Sequence, residues 1–288
     1  MEEWQTASYN PHLIPMIVAV VNGLVAGRVR VRADEVRVSS APGEIERLTG
    51  EALDRGADEV IVAGGDGSVH EAASAFLARG SRAVLAVLPA GTGNDFARCL
   101  GPEPRTVDAI EILQGSRRSF AVNASQAGFG ARVAAHAAPF KRLLGPLAYR
   151  LAIATALLGH RPVPVRVSVD GKAAVERLAA GVIVANAPHL GGGMTPLHRA
   201  TPDDGLLDVA LVGSFGRWKI LRSAGLLRAG IPEGQEGIDL FRARELTVES
   251  PEEAPVEADG EALGGLPASW RILPGALVAR KEAFPSGS

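Results

Sequence analysis

Apolar and polar positions change rhythm part-way along the chain. From Met16 to about Gly115, short continuous apolar runs ("MIVAVV", "EVRV", "EVIVAG", "AVLAVLPAG", "AIEILQG") alternate with helical patterns ("EIERLTGEALDRG", "VHEAASAFLARG", "TGNDFARCL"). Unbroken apolar strands between helices predict a parallel sheet with helices on both faces. From about Arg118 the runs shorten and are separated by Asp-Gly, Gly-Gly and Pro, as in "PVPVRVSVDG", "LAAGVIVANAP", "LLDVALVG" and "SWRILPGALVAR". That texture predicts an antiparallel sheet or sandwich, with "SVDGK" as a hairpin. Helical insertions are expected at Phe140 to Leu158 and at about Phe215 to Leu227. The boundaries that follow are residues 16–117 for an α/β domain, 118–270 for a β-sandwich, and 271–288 for a C-terminal segment.

Composition narrows the class. At 47% apolar residues the 288-residue chain can bury a large core, and 30 Lys plus Arg against 32 Asp plus Glu leaves a formal charge of −2. Such a balance carries no nucleic-acid signature. The single cysteine, Cys99, excludes a disulfide framework and suits a reducing cytoplasm. Met1 to Pro15 is acidic and polar where a signal peptide would be basic and then apolar, so it is read as a loose leader. "LLGPLAYRLAIATALLG", Leu143 to Gly159, is short of the ~20 apolar residues of a span and contains Arg150, which predicts a buried helix. His160, His189 and His198 are taken as loop or surface residues, since no spacing pairs them on a metal.

Chemistry concentrates in two glycine loops. In "VAGGDGSVHEAAS", an apolar strand ends on Gly64, Gly65, Asp66 and Gly67, and a helix opens near Ser68. Backbone N–H groups at a strand end and a helix N-terminus favour phosphate. Asp66 would repel a phosphate unless a cation stands between them, which points to metal-assisted phosphoryl transfer; a tight strand-to-helix turn with a capping side chain is the structural alternative. "LPAGTGNDFARCLG" repeats the arrangement, with Gly91, Thr92, Gly93 and Asn94 before another helix. Neither loop completes a P-loop or a G-x-G-x-x-G dinucleotide fingerprint.

Together these stretches resemble the two nucleotide-loop motifs of the diacylglycerol kinase catalytic domain family, bacterial lipid kinases related to sphingosine and ceramide kinases. The resemblance continues through "FKRLLGPLAY", "NAPHLGGGMTPLHRATPDDGLLDV" and "ADGEAL". It implies an N-terminal domain like that of NAD kinases and phosphofructokinases, a C-terminal β-sandwich, ATP and Mg²⁺ between them, and a last strand that returns to the first domain. Asn22, Gly64, Gly65, Asp66, Gly67, Ser68, Glu71, Gly91, Thr92, Gly93 and Asn94 would bind nucleotide. Asp66 and Asp259 would be catalytic, Asp259 by activating the acceptor hydroxyl, and Asp203, the Leu206 carbonyl and Asp208 would hold a structural magnesium. Three oxygens in a compact turn also suit a hard cation on chemical grounds, although Asp-Asp-Gly reads equally as a β-turn, and Asp259-Gly260 as a hairpin turn.

Two positions depart from the family pattern. The first loop usually reads Asn-Pro, whereas Asn22 is followed by Gly23, with only about twelve residues between the first two strands, which shortens or removes the first helix. Where Gly-Phe-Asp-Ala is common, this chain has "GFGA", with Gly130 in the aspartate's place. The resemblance implies a cytoplasmic enzyme, peripheral at the inner face of the membrane, that phosphorylates a lipid hydroxyl, diacylglycerol first, with no nucleic-acid partner. A homodimer is compatible with it. The alternatives are a non-catalytic nucleotide- or lipid-binding protein, or a kinase for a long-chain base, phosphatidylglycerol or polyprenol. "SFGRWKILRSAGLLRAG", Ser214 to Gly230, is either a basic, aromatic membrane-facing helix or one packed on the sandwich.

Overall fold

The computed structural model describes residues 15–137 and 146–283, with the backbone alone for 146–150. Four parallel strands, β1 (Ile17–Asn22), β2 (Glu35–Ser39), β3 (Glu59–Gly64) and β4 (Val84–Pro89), lie in the order β2-β1-β3-β4. Their alternate side chains separate two cores. Val18, Val20, Val60, Val62, Leu85 and Val87 pack under α1 (Glu44–Asp54) and α2 (Asp66–Arg79) through Ile45, Ala52, Val69 and Phe76. Ala19, Val21, Ile61, Ala63, Ala86 and Leu88 face the other way, against Val25, Ala26, Val29 and Val31 of the β1–β2 connection. That connection is turn and coil, because the residues between the two strands are too few for a packed crossover helix.

The α/β and antiparallel-sandwich classes expected from the texture are both present. A six-stranded antiparallel sheet runs β12 (Ile238–Ala243), β11 (Leu207–Val212), β10 (Gly181–Ala185), β7 (Ala124–Gly128), β14 (Pro255–Ala258) and β15 (Glu261–Gly265). Facing it, the first sheet continues from β4 through β16 (Ala268–Lys281), β13 (Glu245–Glu249), β8 (Val163–Val169) and β9 (Val175–Ala179). The predicted hairpin joins β8 to β9 through Asp170 and Gly171, both with positive φ (49° and 70°), as a tight two-residue turn requires. Between the sheets Trp270, Ile110, Ile112, Leu246 and Val248 meet Val182, Val184, Leu207, Val209 and Val256. The Trp270 indole N–H donates to Ser125 Oγ at 2.8 Å, so its one polar group is satisfied across the core.

β16 belongs to both halves. Its C-terminal residues pair in parallel with β4, its N-terminal residues pair antiparallel with β13, and its other edge carries β5 (Arg105–Gln114), which pairs in turn with β6 (Arg117–Ala121). "AIEILQ" is therefore antiparallel strand, not part of the α/β alternation. The ladder between β16 and β5 is irregular from Leu273 to Leu277, and buried Asp108 pins that bend by accepting the Gly275 N–H at 2.7 Å while its other oxygen accepts Gly205 N–H at 2.7 Å.

Helices α3 (Phe129–Ala137), α4 (Pro146–Leu158), α5 (Arg217–Ser223) and α6 (Leu226–Ala229) complete the fold. The helix expected to be buried is only half so: Ala152 and Ala156 of α4 pack on Val133 and Ala137 of α3, while Leu158 is 73% exposed. Most of "FKRLLGPLAY" lies outside the described residues, as does nearly all of the N-terminal leader. His160 is buried, not a surface residue, with its Nε2 at 2.8 Å from the Phe215 carbonyl; burial, outweighing that bond, lowers its pKa. Among the described residues no helix is long and apolar enough to cross a membrane.

Trp270 fills the centre of the sandwich completely, so Trp270→Ala is expected to cost about 3–5 kcal/mol of stability in urea unfolding. A loss below about 1 kcal/mol would show that the two sheets do not close on this side chain.

Candidate functional site

The two glycine loops meet at the C-terminal ends of adjacent strands β3 and β4, where the Ala90 N–H donates to the Gly64 carbonyl at 2.8 Å. Their glycines are demanded by contact. A Cβ on Gly91 would stand 2.4 Å from Gly65 Cα, one on Gly64 would stand 2.3 Å from Ser68 Oγ, and one on Gly93 would stand 2.4 Å from Asp66 Oδ2. Helix α2 starts at Asp66, two residues earlier than the pattern indicates, and its first internal bond runs from Val69 N–H to Gly65. The N–H groups of Asp66, Gly67 and Ser68 thus precede the helical ladder, the arrangement that holds phosphate. Asn22 joins them from β1, its Nδ2 donating to Ser68 Oγ at 2.9 Å. Thr92 sits exposed at the tip of the second loop, which opens into only a four-residue 3₁₀ turn, Phe96–Cys99, in place of the expected helix.

Asp66 braces the loops. Its Oδ2 accepts the Asn94 N–H at 2.9 Å and its Oδ1 the Asp95 N–H at 2.6 Å, while Asn94 closes its own turn onto the N–H and carbonyl of Gly91. Burial, then the negative charge of Asp95, raises the pKa of Asp66 above the usual carboxylate value. Glu71 stands apart from this cradle. Its carboxylate accepts the N–H groups of Gly43, Ile45 and Glu46 and caps α1, so the expectation that it binds nucleotide is corrected: the free N–H groups of a neighbouring helix take its oxygens.

Asp95 was not singled out from the sequence, although it directly follows Asn94. It is buried, its Oδ2 accepts the Gly192 N–H at 2.7 Å, and its Oδ1 has no hydrogen-bond partner, with Arg98 Nε 4.0 Å away. Asp95 therefore ties the glycine run of the sandwich half to the second glycine loop, with its other oxygen held only by the ion pair with Arg98.

Asp259 occupies the β14–β15 turn with φ 49°, and its side chain is 1% exposed. Three backbone N–H groups donate to it, from Val122 (2.8 Å), Asn123 (3.0 Å) and Ala124 (3.1 Å), and His70 Nδ1 of α2 lies 3.3 Å from its Oδ2. The carboxylate expected to meet an acceptor hydroxyl is thus enclosed and hydrogen-bonded through both oxygens, with His70 as its one side-chain partner among the described residues. His70 was likewise missed, since a lone histidine on a helix carries no spacing signal. The next carboxylate of the same hairpin, Glu261, reaches the phosphate loop, 3.8 Å from where a Cβ on Gly67 would be.

The chain also answers for Gly130. A Cβ there would lie 2.0 Å from Gln126 Oε1, so the glycine makes room for Gln126, whose Nε2 donates to Glu257 at 3.0 Å. Glu257 is buried and accepts the Gly260 N–H beside Asp259. A carboxylate from the neighbouring strand, held by an amide, therefore lies on the far side of Gln126 from Gly130.

The magnesium site expected at Asp203, Leu206 and Asp208 is corrected. Asp203 pairs with Arg105 at 2.7 Å, Asp208 with Arg242 at 3.3 Å, and Asp204 with Arg242 and the Thr201 hydroxyl. Burial raises the pKa of Asp208 and Arg242 opposes that shift. The guanidinium groups already neutralise the oxygens a cation would need, and the residues present do not fit the metal. Among the described residues, no cluster of three or more His, Cys, Asp or Glu side chains could hold one.

The comparisons agree with this geometry. Residues 24–124 match the diacylglycerol kinase catalytic domain, and residues 123–279 match the YegS C-terminal NAD kinase beta sandwich-like domain. The fold and the two loops define a lipid-kinase-type chain of the diacylglycerol kinase catalytic domain class. More particularly, the chain belongs to the family of YegS-like lipid kinases: it is 34% identical, over 94% of its length and 95% of the relative's, to the "Probable lipid kinase YegS-like" of Pseudomonas aeruginosa PAO1. It is also 30% identical to the diacylglycerol kinase of Mycobacterium tuberculosis H37Rv over 67% of each chain. A crystal structure of a diacylglycerol kinase from Bacillus anthracis Sterne shares the fold, with a TM-score of 0.70 at 20% identity over 92% of this chain and 96% of that one.

If arginines replace a cation at the Asp203–Asp208 turn, EDTA should leave the melting temperature of the protein unchanged. Arg242→Ala should lower stability by about 1 kcal/mol, the exposure of the pair keeping the figure small. A fall in melting temperature on chelation of the wild type would restore the metal reading.

Proposed function

We propose that the chain transfers the γ-phosphoryl group of ATP, presented with Mg²⁺, to the hydroxyl of a membrane lipid, with diacylglycerol as the leading acceptor and phosphatidic acid as its product. The observation that carries the lipid half is a polarity gradient across one row of the six-stranded sheet. Glu257, Gln126, Ile183, Ala210 and Leu240 are successive cross-strand partners. At the Gln126 end stand Glu257 and Gly130, while the middle opens on an apolar cavity of about 110 Å³ lined also by Phe129, Val133, Phe215 and Leu227. A molecule with one polar end and an apolar body matches that row.

The nucleotide half rests on the cradle. N–H groups at the start of α2 and those of Thr92 and Gly93 in the second loop would hold the phosphates, and little covalent chemistry is asked of the protein beyond position and charge. The buried Asp95 Oδ1, which lies beside Asp66 without a hydrogen bond and with Arg98 Nε 4.0 Å away, suits a divalent cation. Asp95 would hold Mg²⁺ there; Asp66, both oxygens taken by N–H groups, would contribute charge, and the ion would neutralise the β- and γ-phosphate oxygens.

Contact with the membrane is assigned to α5. Ile220 of this helix lines the cavity while Trp218, 77% exposed, and Leu221, 49% exposed, face outward among Arg217, Arg222 and Arg228. An aromatic anchor with cations around it suits an anionic bilayer surface, and its helix roofs the cavity, giving a lipid a short route inward.

Two measurements test this reading. Labelled γ-phosphate from Mg·ATP should appear in the organic-extractable fraction of mixed micelles containing diacylglycerol, and Ala224→Phe, which fills the cavity, should raise KM for the lipid with little change for ATP. Folded, ATP-binding protein that labels no lipid in any extract would favour a non-catalytic binding protein. Trp218→Glu should weaken cosedimentation with phosphatidylglycerol-containing vesicles by about tenfold or more, since a buried aromatic becomes a charge of the lipid's sign; unchanged binding would remove α5 from the membrane contact.

A further inference from the structure

Proton removal needs a group that can reach a substrate, and the enclosed Asp259 carboxylate is not one. The Asp259 side chain is 1% exposed, accepts three backbone N–H groups and, among the described residues, hydrogen-bonds one side chain, His70. His70 keeps 13% of its side chain open, and its Nδ1 lies 3.3 Å from Asp259 Oδ2. With Nδ1–H donated to the carboxylate, Nε2 is the ring's proton-accepting atom. An enclosed carboxylate that fixes one tautomer of a more open imidazole is the arrangement that makes a histidine a general base.

We propose that His70 is the proton acceptor of the phosphoryl transfer and that Asp259 acts through it as a positioning residue. The inference rests on the lipid kinase reading for its substrate. In the step, the lipid O–H bond breaks and its proton goes to His70 Nε2. The oxygen's freed electron pair forms the bond to Pγ, and the bond between Pγ and the β,γ-bridging oxygen breaks, with its pair leaving on ADP. The imidazolium is held against Asp259 and returns its proton to water after product leaves.

The surroundings favour this use of the ring. Burial opposes the charged imidazolium, but the hydrogen bond and charge of Asp259, followed by the charges of Glu261 and Glu257 from the β14–β15 hairpin, outweigh it, and the net pKa lies above the ordinary value. The basic residues of β6, which packs on α2, are engaged elsewhere: Arg117 donates to the Leu263 carbonyl and Arg118 pairs with Glu111. A raised pKa means that the neutral, competent ring is lost as pH falls through that value, so the acid limb of the rate profile should lie above the ordinary imidazole value of about 6.5.

His70→Gln is expected to lower kcat about 10²-fold or more, to abolish that acid limb, and to leave KM for ATP within about twofold. Wild-type-like kcat and pH profile in a folded His70→Gln protein would overturn the proposal. A second measurement needs no lipid: imidazole ¹⁵N resonances of the whole chain, assigned by their loss in His70→Gln. They should show His70 with Nδ1 protonated, Nε2 bare and a pKa above about 6.5; the opposite tautomer or a lower pKa would overturn it. If the wild type labels no lipid while these resonances behave as expected, the substrate reading fails and the dyad stands.

Discussion

The Asp259 carboxylate is the knot on which the site depends. One side chain collects the N–H groups of Val122, Asn123 and Ala124, where the chain leaves β6 for β7, and faces His70 on the helix that opens from the first glycine loop. The N–H groups it satisfies belong to the passage between the two halves, where neither sheet supplies a full ladder. An N–H left unpaired there would cost on the order of 1–3 kcal/mol, so this buried carboxylate fixes the junction and, through it, the distance from α2 to the β14–β15 hairpin. β16 secures the same distance covalently by lying in both cores, with Leu277 and Ala279 in one and Trp270 and Ile272 in the other.

Within that frame the glycine loops act as surfaces pressed together. Gly65 and Gly91 touch backbone to backbone, and Asp66 fills the space left by Gly93. The aspartate that looked like a poor neighbour for phosphate has its carboxylate engaged by two N–H groups of the second loop. Its raised pKa has the same origin, since enclosure next to Asp95 disfavours charge. Asp95 itself keeps one buried oxygen without a hydrogen bond, 4.0 Å from Arg98 Nε.

Legibility in the sequence followed the range of the interactions. The parallel strands, the Asp170-Gly171 hairpin and both loops rest on local periodicity and turn chemistry, and could be read residue by residue. Contacts made across long separations could not. "AIEILQ" has the apolar density of a buried parallel strand, and only pairing with Ser269–Leu273 makes it antiparallel. Glu71 lies one turn into the helix after the phosphate loop, and nothing nearby in sequence shows that it caps α1. The Asp203 and Asp208 spacing is that of a cation turn, and the deciding arginines come from residues 105 and 242. Gly130 stands out in the sequence only as a departure, because Gln126 and Glu257 beside it are brought together from two strands.

That last pairing shows why one short strand can serve chemistry and lipid at once. Along β7 the side chains alternate: Ser125 and Ala127 point into the sandwich, where Ser125 meets Trp270, and Gln126 points to the outer face. On that face Gln126 has Glu257 on one side and Ile183 on the other, so it is the step between a carboxylate and an apolar cavity. A register slip of one residue would put Gln126 in the core and Ser125 on the cavity row, and both sides of the strand would lose their partners together. Trp270 opposes such a slip from inside through its bond to Ser125. Packing of the sandwich core thus sets the register, the register sets which residue borders the cavity, and the polarity of the site follows.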